Sequence, residues 1–125
     1  MTLRTGARGS AERTVSEADT AAEFGSGDLP VLGTPGLLAL LEAATVDALA
    51  GALEPGRTSV GTRVQVDHLK ASPVGATVTA TAEVTYLDGR LVRFTVAAQD
   101  GAGRLLATGE ITRVIVDRDR FLARL

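Results

Sequence analysis

Hydrophobic and polar residues form two different patterns along this chain, a continuous apolar run and then an alternation, and the change between them predicts the order of the elements. Residues 35–50 are almost all apolar or good helix formers and predict one long helix that ends near Gly51. Thr34 precedes this run as the predicted N-cap, and Pro35 suits the first helical position. Because the run is apolar nearly all the way round, we expect other elements to wrap the helix.

After the helix, polar and apolar residues alternate, as is typical of half-buried strands. In residues 58–70 the alternation places five side chains on one face: Val60, Thr62, Val64, Val66 and His68. Further strands are predicted over residues 76–87, 91–99 and 105–116. Their short turns make neighbouring strands antiparallel, and Gly109 indicates a bulge or a close approach in the last strand.

The segments outside this pattern are less regular. Residues 1–11 are predicted to be a mobile tail, which leaves a single domain over residues 12–125. Within it we expect a short first strand over residues 12–16, a loop over residues 18–32 that could act as a lid, and a charged tail over residues 117–125. The prediction is an α+β fold with about five antiparallel strands around one helix. A second copy commonly covers an open edge or face of such a sheet, so we expect a homodimer.

Composition narrows the classes of function. The 13 Lys and Arg residues against 15 Asp and Glu give a net charge of -2, and there are only 3 Phe, 1 Tyr and 0 Trp, so neither a nucleic acid nor a membrane is an expected partner. With 0 Cys and 1 His, no metal site is expected. No apolar run has the length of a signal peptide or a membrane span, which predicts a cytoplasmic protein.

Three side chains carry the candidate chemistry. Glu42 lies in the middle of the apolar helix, where burial of an unpaired carboxylate costs several kcal/mol, so it faces a cleft or a partner, or else the helix touches solvent there. His68 alone fits a core histidine as well as a proton-transfer group, and a nearby carboxylate would favour the second role. Thr34 could orient a carbonyl or oxyanion beside the helix N-terminus as well as cap the helix, and Gly61 would let a ligand approach its strand closely.

The chain resembles the hot-dog-fold thioesterases, and most closely their fluoroacetyl-CoA thioesterase-like branch, over about residues 32–121. The segments that carry the resemblance are Gly33-Thr34-Pro35-Gly36, Leu41-Glu42-Ala43-Ala44, Leu53-Glu54-Pro55-Gly56, Ser59-Val60-Gly61-Thr62, Val66-Asp67-His68 and Ala71-Ser72-Pro73-Val74-Gly75. It implies a hot-dog fold, a dimer, and hydrolysis of an acyl-CoA or related thioester with no cofactor. The residues that it implies for the site are Thr34, Glu42 and His68 as catalytic groups, with Gly61, Thr62 and Arg113 near the substrate.

The resemblance leaves the mechanism and the substrate open. Glu42 would act either as nucleophile or as general base, His68 would handle protons at the leaving thiolate, and Thr34 would orient Glu42 or the substrate. The fluoroacetyl-specific member uses aromatic side chains before the helix as a gate, whereas residues 23–32 here offer only Phe24 as a substrate-binding candidate. We therefore expect another short or specialised acyl group. The alternatives are a non-catalytic protein that binds acyl-CoA or an acyl carrier, and a structural dimer.

Overall fold

The computed structural model describes residues 3–125, which form one antiparallel sheet and one long helix. In chain order the elements are β1 (Arg8–Thr14), a 3-10 turn (Glu17–Asp19), α1 (Ala21–Phe24), α2 (Thr34–Leu49), β2 (Arg57–His68), β3 (Thr77–Asp88), β4 (Leu91–Asp100), β5 (Leu105–Asp117) and α3 (Arg118–Ala123). This order confirms the predicted α+β architecture with one long helix and five strands. None of the helices described is long and apolar enough to cross a membrane.

The five strands lie in the order β1-β3-β4-β5-β2, and every neighbouring pair is antiparallel. Strand β4 is central, and alternate residues of β3 and β4 form the core with the buried face of α2. The largest fully buried side chains are Phe94, Leu37, Leu41 and Ile111. The burial of these apolar side chains is the main force that fixes the helix against the sheet.

The first strand begins four residues earlier than predicted. Arg8 pairs with Glu83 in β3, so the prediction of a mobile tail is wrong for residues 8–11, and Met1 and Thr2 of that prediction lie outside the described residues. The physical reason is packing, because a Cβ on Gly9 would meet the backbone of Ala44 and Ala48 in α2. Gly9 is one of the small residues that suggested a mobile tail, but in the structure it lets β1 lie directly against the helix.

The segment before α2 is anchored by a buried carboxylate. Asp19 forms an ion pair with Arg13 at 2.8 Å and accepts hydrogen bonds from the backbone and side chain of Ser16. The hydrogen bond from Arg13 is the main cause that lowers the pKa of Asp19 to about 2. The backbone carbonyl of Asp19 also accepts from Gly33, so the segment is tied to the start of α2 rather than left as a loose loop.

The helix is wrapped on one side only. Leu40, Leu41 and Ala44 are buried, but Val46 on the opposite face is 51% exposed. Strand β2 lies at one edge of the sheet, and its residues 61–65 are all exposed. The prediction of a helix that is enclosed on all sides is therefore wrong for one protomer, since no element of the described chain covers the face of α2 that carries Val46.

A register shift in β2 changes which residues share a face. Gly61 pairs with Arg113 while Val64 pairs with Ile111, so one extra residue, Thr62, is inserted between them. Because directly opposite residues lie on one face, Gly61 shares the face of Val64, Val66 and His68. The predicted placement of Val60 and Thr62 on that face is therefore wrong. Gly109 makes the predicted close approach, because a Cβ there would meet the carbonyl oxygen of Gln65.

Candidate active site

Thr34 and His68 form the first part of the candidate site. The Thr34 hydroxyl lies 2.9 Å from His68 Nδ1, and this contact joins the start of α2 to the end of β2. Gly33, not Thr34, is the N-cap, and the Thr34 hydroxyl makes no capping hydrogen bond, so the predicted capping role is wrong. The hydroxyl is instead directed at the only imidazole of the chain, where it can fix the ring and its tautomer.

The environment of His68 favours a neutral imidazole. Partial burial lowers the pKa of His68, and a backbone hydrogen bond with Lys70 opposes this shift more weakly. A ring that is neutral at pH 7 can accept a proton and return it during a reaction. Thr34 and His68 share an open cavity of about 260 Å³ whose other lining residues include Ala21, Leu32, Gly33 and Lys70.

Glu42 and Arg113 form the second part of the site. Arg113 Nη1 lies 3.4 Å from Glu42 Oε2, and the same guanidinium donates to the Ser59 hydroxyl at 2.8 Å and to the Ser59 carbonyl at 3.2 Å. The Arg113 side chain is only 9% exposed, whereas the Glu42 side chain is 40% exposed. The carboxylate therefore has a fixed cationic partner on one side and an open surface on the other.

Gly61 makes room for this carboxylate. A Cβ on Gly61 would lie 2.7 Å from Glu42 Oε2, closer than real Cβ contacts come. Burial lowers the pKa of Arg113, and the charge of Glu42 acts in the opposite direction. The pair thus offsets part of the desolvation of the guanidinium, while the missing side chain at position 61 lets the carboxylate lie directly over the strand.

Within one protomer the two parts of the site are far apart. Thr34 and Glu42 are eight residues apart on α2, which corresponds to about 12 Å along the helix axis. Gly61 and His68 are seven residues apart on β2, or roughly 23 Å of extended strand. The structure therefore brings Thr34 to His68, and Glu42 to Arg113 and Gly61, but it does not join the two groups in one chain.

The other predicted residues differ in their positions. The ring of Phe24 packs at the start of α2, where a Cβ on Gly33 or Gly36 would lie 3.2 Å from it, so it is near Thr34 and is 48% exposed. Thr62 is the inserted residue of β2, and its hydroxyl donates to the carbonyl of Thr112 at 3.4 Å and to no side chain of the two groups. The described residues contain no cluster of three or more metal-ligating side chains.

Ser59 is the site residue that the sequence did not predict. It holds two nitrogens of the Arg113 guanidinium and so sets the direction of the third toward Glu42. Ser59 lies two residues before Gly61 on the same strand, and residues i and i+2 share a face. This spacing could have identified Ser59 as a neighbour of the site. The predicted alternation concealed that signal, because it placed the opposite set of residues on the inner face.

The comparisons with known proteins point to one family. The model of the family described as fluoroacetyl-CoA-specific thioesterase matches residues 15–119. A curated relative, the fluoroacetyl-CoA thioesterase of Streptantibioticus cattleyicolor, is 38% identical over 94 residues, which cover 75% of this chain and 67% of the relative. The matched range includes both groups of the candidate site.

Solved structures agree with this match. A structure of the fluoroacetyl-CoA thioesterase superposes with a TM-score of 0.90 at 32% identity and covers 99% of this chain and 96% of the other. A point mutant of the same enzyme in complex with acetyl-CoA gives a TM-score of 0.91 at 31% identity, with 98% and 96% covered. A thioesterase superfamily member from Thermus thermophilus gives 0.90 at 24% identity, with 98% and 90% covered, and shows the fold alone. The predicted hot-dog fold is confirmed.

Proposed function

The chain belongs to the fluoroacetyl-CoA-specific thioesterase family and is a thioester hydrolase, and we propose that it cleaves short acyl-CoA thioesters with Thr34, Glu42 and His68. The observation that carries this assignment is the Glu42 carboxylate, which is held by a buried arginine over a glycine and is open on its other side. A carboxylate so held is available to a carbonyl carbon or to a water molecule. The non-catalytic alternative is not favoured.

The chemistry can follow either of two routes from this geometry. As nucleophile, Glu42 attacks the thioester carbonyl, the carbon–sulfur bond breaks to give a thiolate and an enzyme anhydride, and water then hydrolyses the anhydride. As general base, Glu42 takes a proton from the water that attacks the same carbon. In both routes one water is consumed and the products are a carboxylic acid and a thiol. The proton that the water gives up is taken by His68 directly in the nucleophile route, or passed to it from Glu42 in the base route, and His68 transfers it to the sulfur while Thr34 orients the ring.

The separation of the two groups supports a homodimer with composite sites. Thr34 and His68 of one protomer would work with Glu42 of the partner subunit, since about 12 Å separates the two groups along a single helix. The exposed edge of β2 and the uncovered face of α2 are the surfaces that a two-fold partner would cover. Dimerisation thus completes the site as well as the core.

Mixing two inactive variants tests the composite site. Glu42→Gln and His68→Ala would each be inactive, but a heterodimer of the two contains one composite site with both native groups. Refolding the variants together at equal concentration should restore about a quarter of the wild-type rate, because half of the dimers are mixed and each has one intact site. Sites contained within single protomers would give no restoration, and sedimentation of the wild type as a monomer would exclude the dimer.

The acyl group is proposed to be short and not restricted to fluoroacetate. Phe24 is the one aromatic side chain of the segment before α2, and its ring is half exposed beside Thr34. Thiol release from acetyl-, fluoroacetyl-, propionyl- and phenylacetyl-CoA measures the preference directly. Turnover of several of these thioesters supports the proposal. The absence of thiol release from all four overturns it. A cytoplasmic location, and the absence of nucleic-acid and membrane partners, stay predictions from the sequence.

A further inference from the structure

Four arginines converge on a small pocket at the end of the sheet opposite to His68. Arg57 begins β2, Arg90 lies in the β3–β4 turn, Arg120 lies in α3, and Arg124 directly follows α3. The pocket has a volume of about 110 Å³, and we call it the arginine pocket. Backbone hydrogen bonds from Ile115 to Arg90 and from Arg118 to Gly56 hold these segments together.

The charge of the arginine pocket is unusual for this protein. The whole chain has a net charge of -2, yet four of its 13 basic residues line this one cavity. Asp117 is the one acidic residue of the lining, and its Oδ1 accepts from the backbone of Arg120 at 3.0 Å. Among residues 3–125, none of the four guanidinium groups takes part in an ion pair. Their mutual repulsion would be relieved by a bound anion.

The lining matches a nucleotide phosphate better than a simple carboxylate. Guanidinium groups donate in forks that fit phosphate oxygens, and several forks around one small cavity suit a group with two or more negative charges. Phe121 also lines the pocket and is 38% exposed, which leaves a ring face on which a base can stack. The side chains that line the pocket are therefore complementary to a phosphorylated nucleotide.

The distance to Glu42 agrees with the length of coenzyme A. Arg57 lies four residues before Gly61 on β2, so the pocket begins about 13 Å from the carboxylate that Gly61 accommodates. The pantetheine arm of CoA is a peptide-like chain equivalent to four or five extended residues, or roughly 13–18 Å. A thioester carbonyl at Glu42 therefore places the phosphates of the nucleotide within reach of the arginine pocket.

We propose that the arginine pocket binds the phosphate groups of CoA and so anchors the substrate whose thioester reacts at Glu42. This assignment rests on the proposed function, because it takes the thioester to be a CoA ester. The arginines would contribute mainly to substrate affinity and not to the reaction step. Removal of two of them should raise KM and leave kcat nearly unchanged.

The experiment compares two double variants that remove the same charge. Arg57→Gln with Arg120→Gln alters the pocket, while Arg4→Gln with Arg118→Gln serves as the control because neither residue lines it. Calorimetry measures the Kd of CoA, 3′-dephospho-CoA, pantetheine and inorganic pyrophosphate. We expect the pocket variant to bind CoA at least tenfold more weakly than wild type, the control to stay within twofold, and pantetheine to bind all three proteins equally.

Three outcomes would overturn the assignment. Equal losses of CoA affinity in both double variants would indicate general attraction by net charge and not a site. An equal loss of pantetheine affinity in the pocket variant would indicate a structural effect. Pyrophosphate binding that depends on the pocket, with unchanged CoA affinity, would assign the pocket to a free anion. Thiol release from an acyl-pantetheine by wild type tests the proposed hydrolase separately, since that substrate has no phosphate.

Discussion

Replacement of Gly61 by alanine is expected to lower the activity of this protein without lowering its stability. The added Cβ would lie 2.7 Å from Glu42 Oε2, whereas ordinary contacts begin at 3.4 Å, so the carboxylate must withdraw by about 0.7 Å or more. It is the flexible end of a side chain, so it can move without a shift of the backbone. A displacement of a reacting group by about 1 Å can cost on the order of 100-fold in rate.

Stability should change little or even increase. Gly61 does not have a positive φ, so alanine fits its backbone, and alanine is favoured over glycine in a strand interior by about 0.5–1 kcal/mol. The loosened Glu42–Arg113 contact works against this gain. We therefore expect Gly61→Ala to lose about 100-fold in kcat/KM while its free energy of unfolding stays within about 1 kcal/mol of wild type.

Gly109→Ala is the matched control, because its Cβ meets backbone instead of a movable side chain. It would contact the carbonyl oxygen of Gln65 and lie 2.9 Å from Val66 Cα, so relief requires a shift of β2 against β5. We expect a loss of about 1–3 kcal/mol in urea unfolding. The reasoning is refuted if Gly61→Ala keeps kcat/KM within threefold of wild type, or if it is destabilised as much as Gly109→Ala.

Three further substitutions test other contacts. Thr34→Val removes the hydrogen bond to His68 and should lower kcat at least tenfold, whereas Thr34→Ser keeps most of it; both should unfold within about 0.5 kcal/mol of wild type, because a real N-cap would cost more. Ser59→Ala leaves the buried Arg113 Nε without its acceptor and should cost about 1–3 kcal/mol and part of the activity, with Ser59→Thr restoring both; unchanged stability would contradict this. Asp19→Asn should be less stable than wild type at pH 7. The lowered pKa of Asp19, about 2, means that its contribution is complete above the ordinary value of 3.8 and is lost as the pH falls through 2. The difference in Tm between the two proteins should therefore shrink from pH 5 to pH 2, and a constant difference would show that the charge is irrelevant.

The sequence predicted the elements well because its two patterns, a continuous apolar run and a polar–apolar alternation, are clear. Residues 37–49 contain no glycine or proline, and the turns at Gly89 and Gly101 are marked by their composition. Helix α2 and the three consecutive strands β3, β4 and β5 therefore lie where expected. The start of β1 was not predictable from its own composition. Its strand conformation depends on pairing with β3 and on the contact of Gly9 with α2, which are tertiary effects.

The site was predicted in part for a related reason. The resemblance selected Thr34, Glu42 and His68 as the candidate reactive side chains, but it did not indicate that one chain divides them into two groups. Eight residues along one helix separate Thr34 and Glu42 by about 12 Å, so these two side chains of a single chain cannot meet at one substrate carbonyl. The contribution of Ser59 depends on the inserted residue Thr62, and no alternation pattern reveals such an insertion before the pairing with β5 is known.

Steady-state hydrolysis of acetyl-CoA by wild type and by Glu42→Gln tests the central claim most directly. The substitution keeps the shape of the side chain and removes its ability to act as base or nucleophile. Free-thiol release should fall by about 100-fold to 10,000-fold, with the variant still folded by circular dichroism. A variant that releases thiol within threefold of the wild-type rate would show that Glu42 is not the reactive carboxylate.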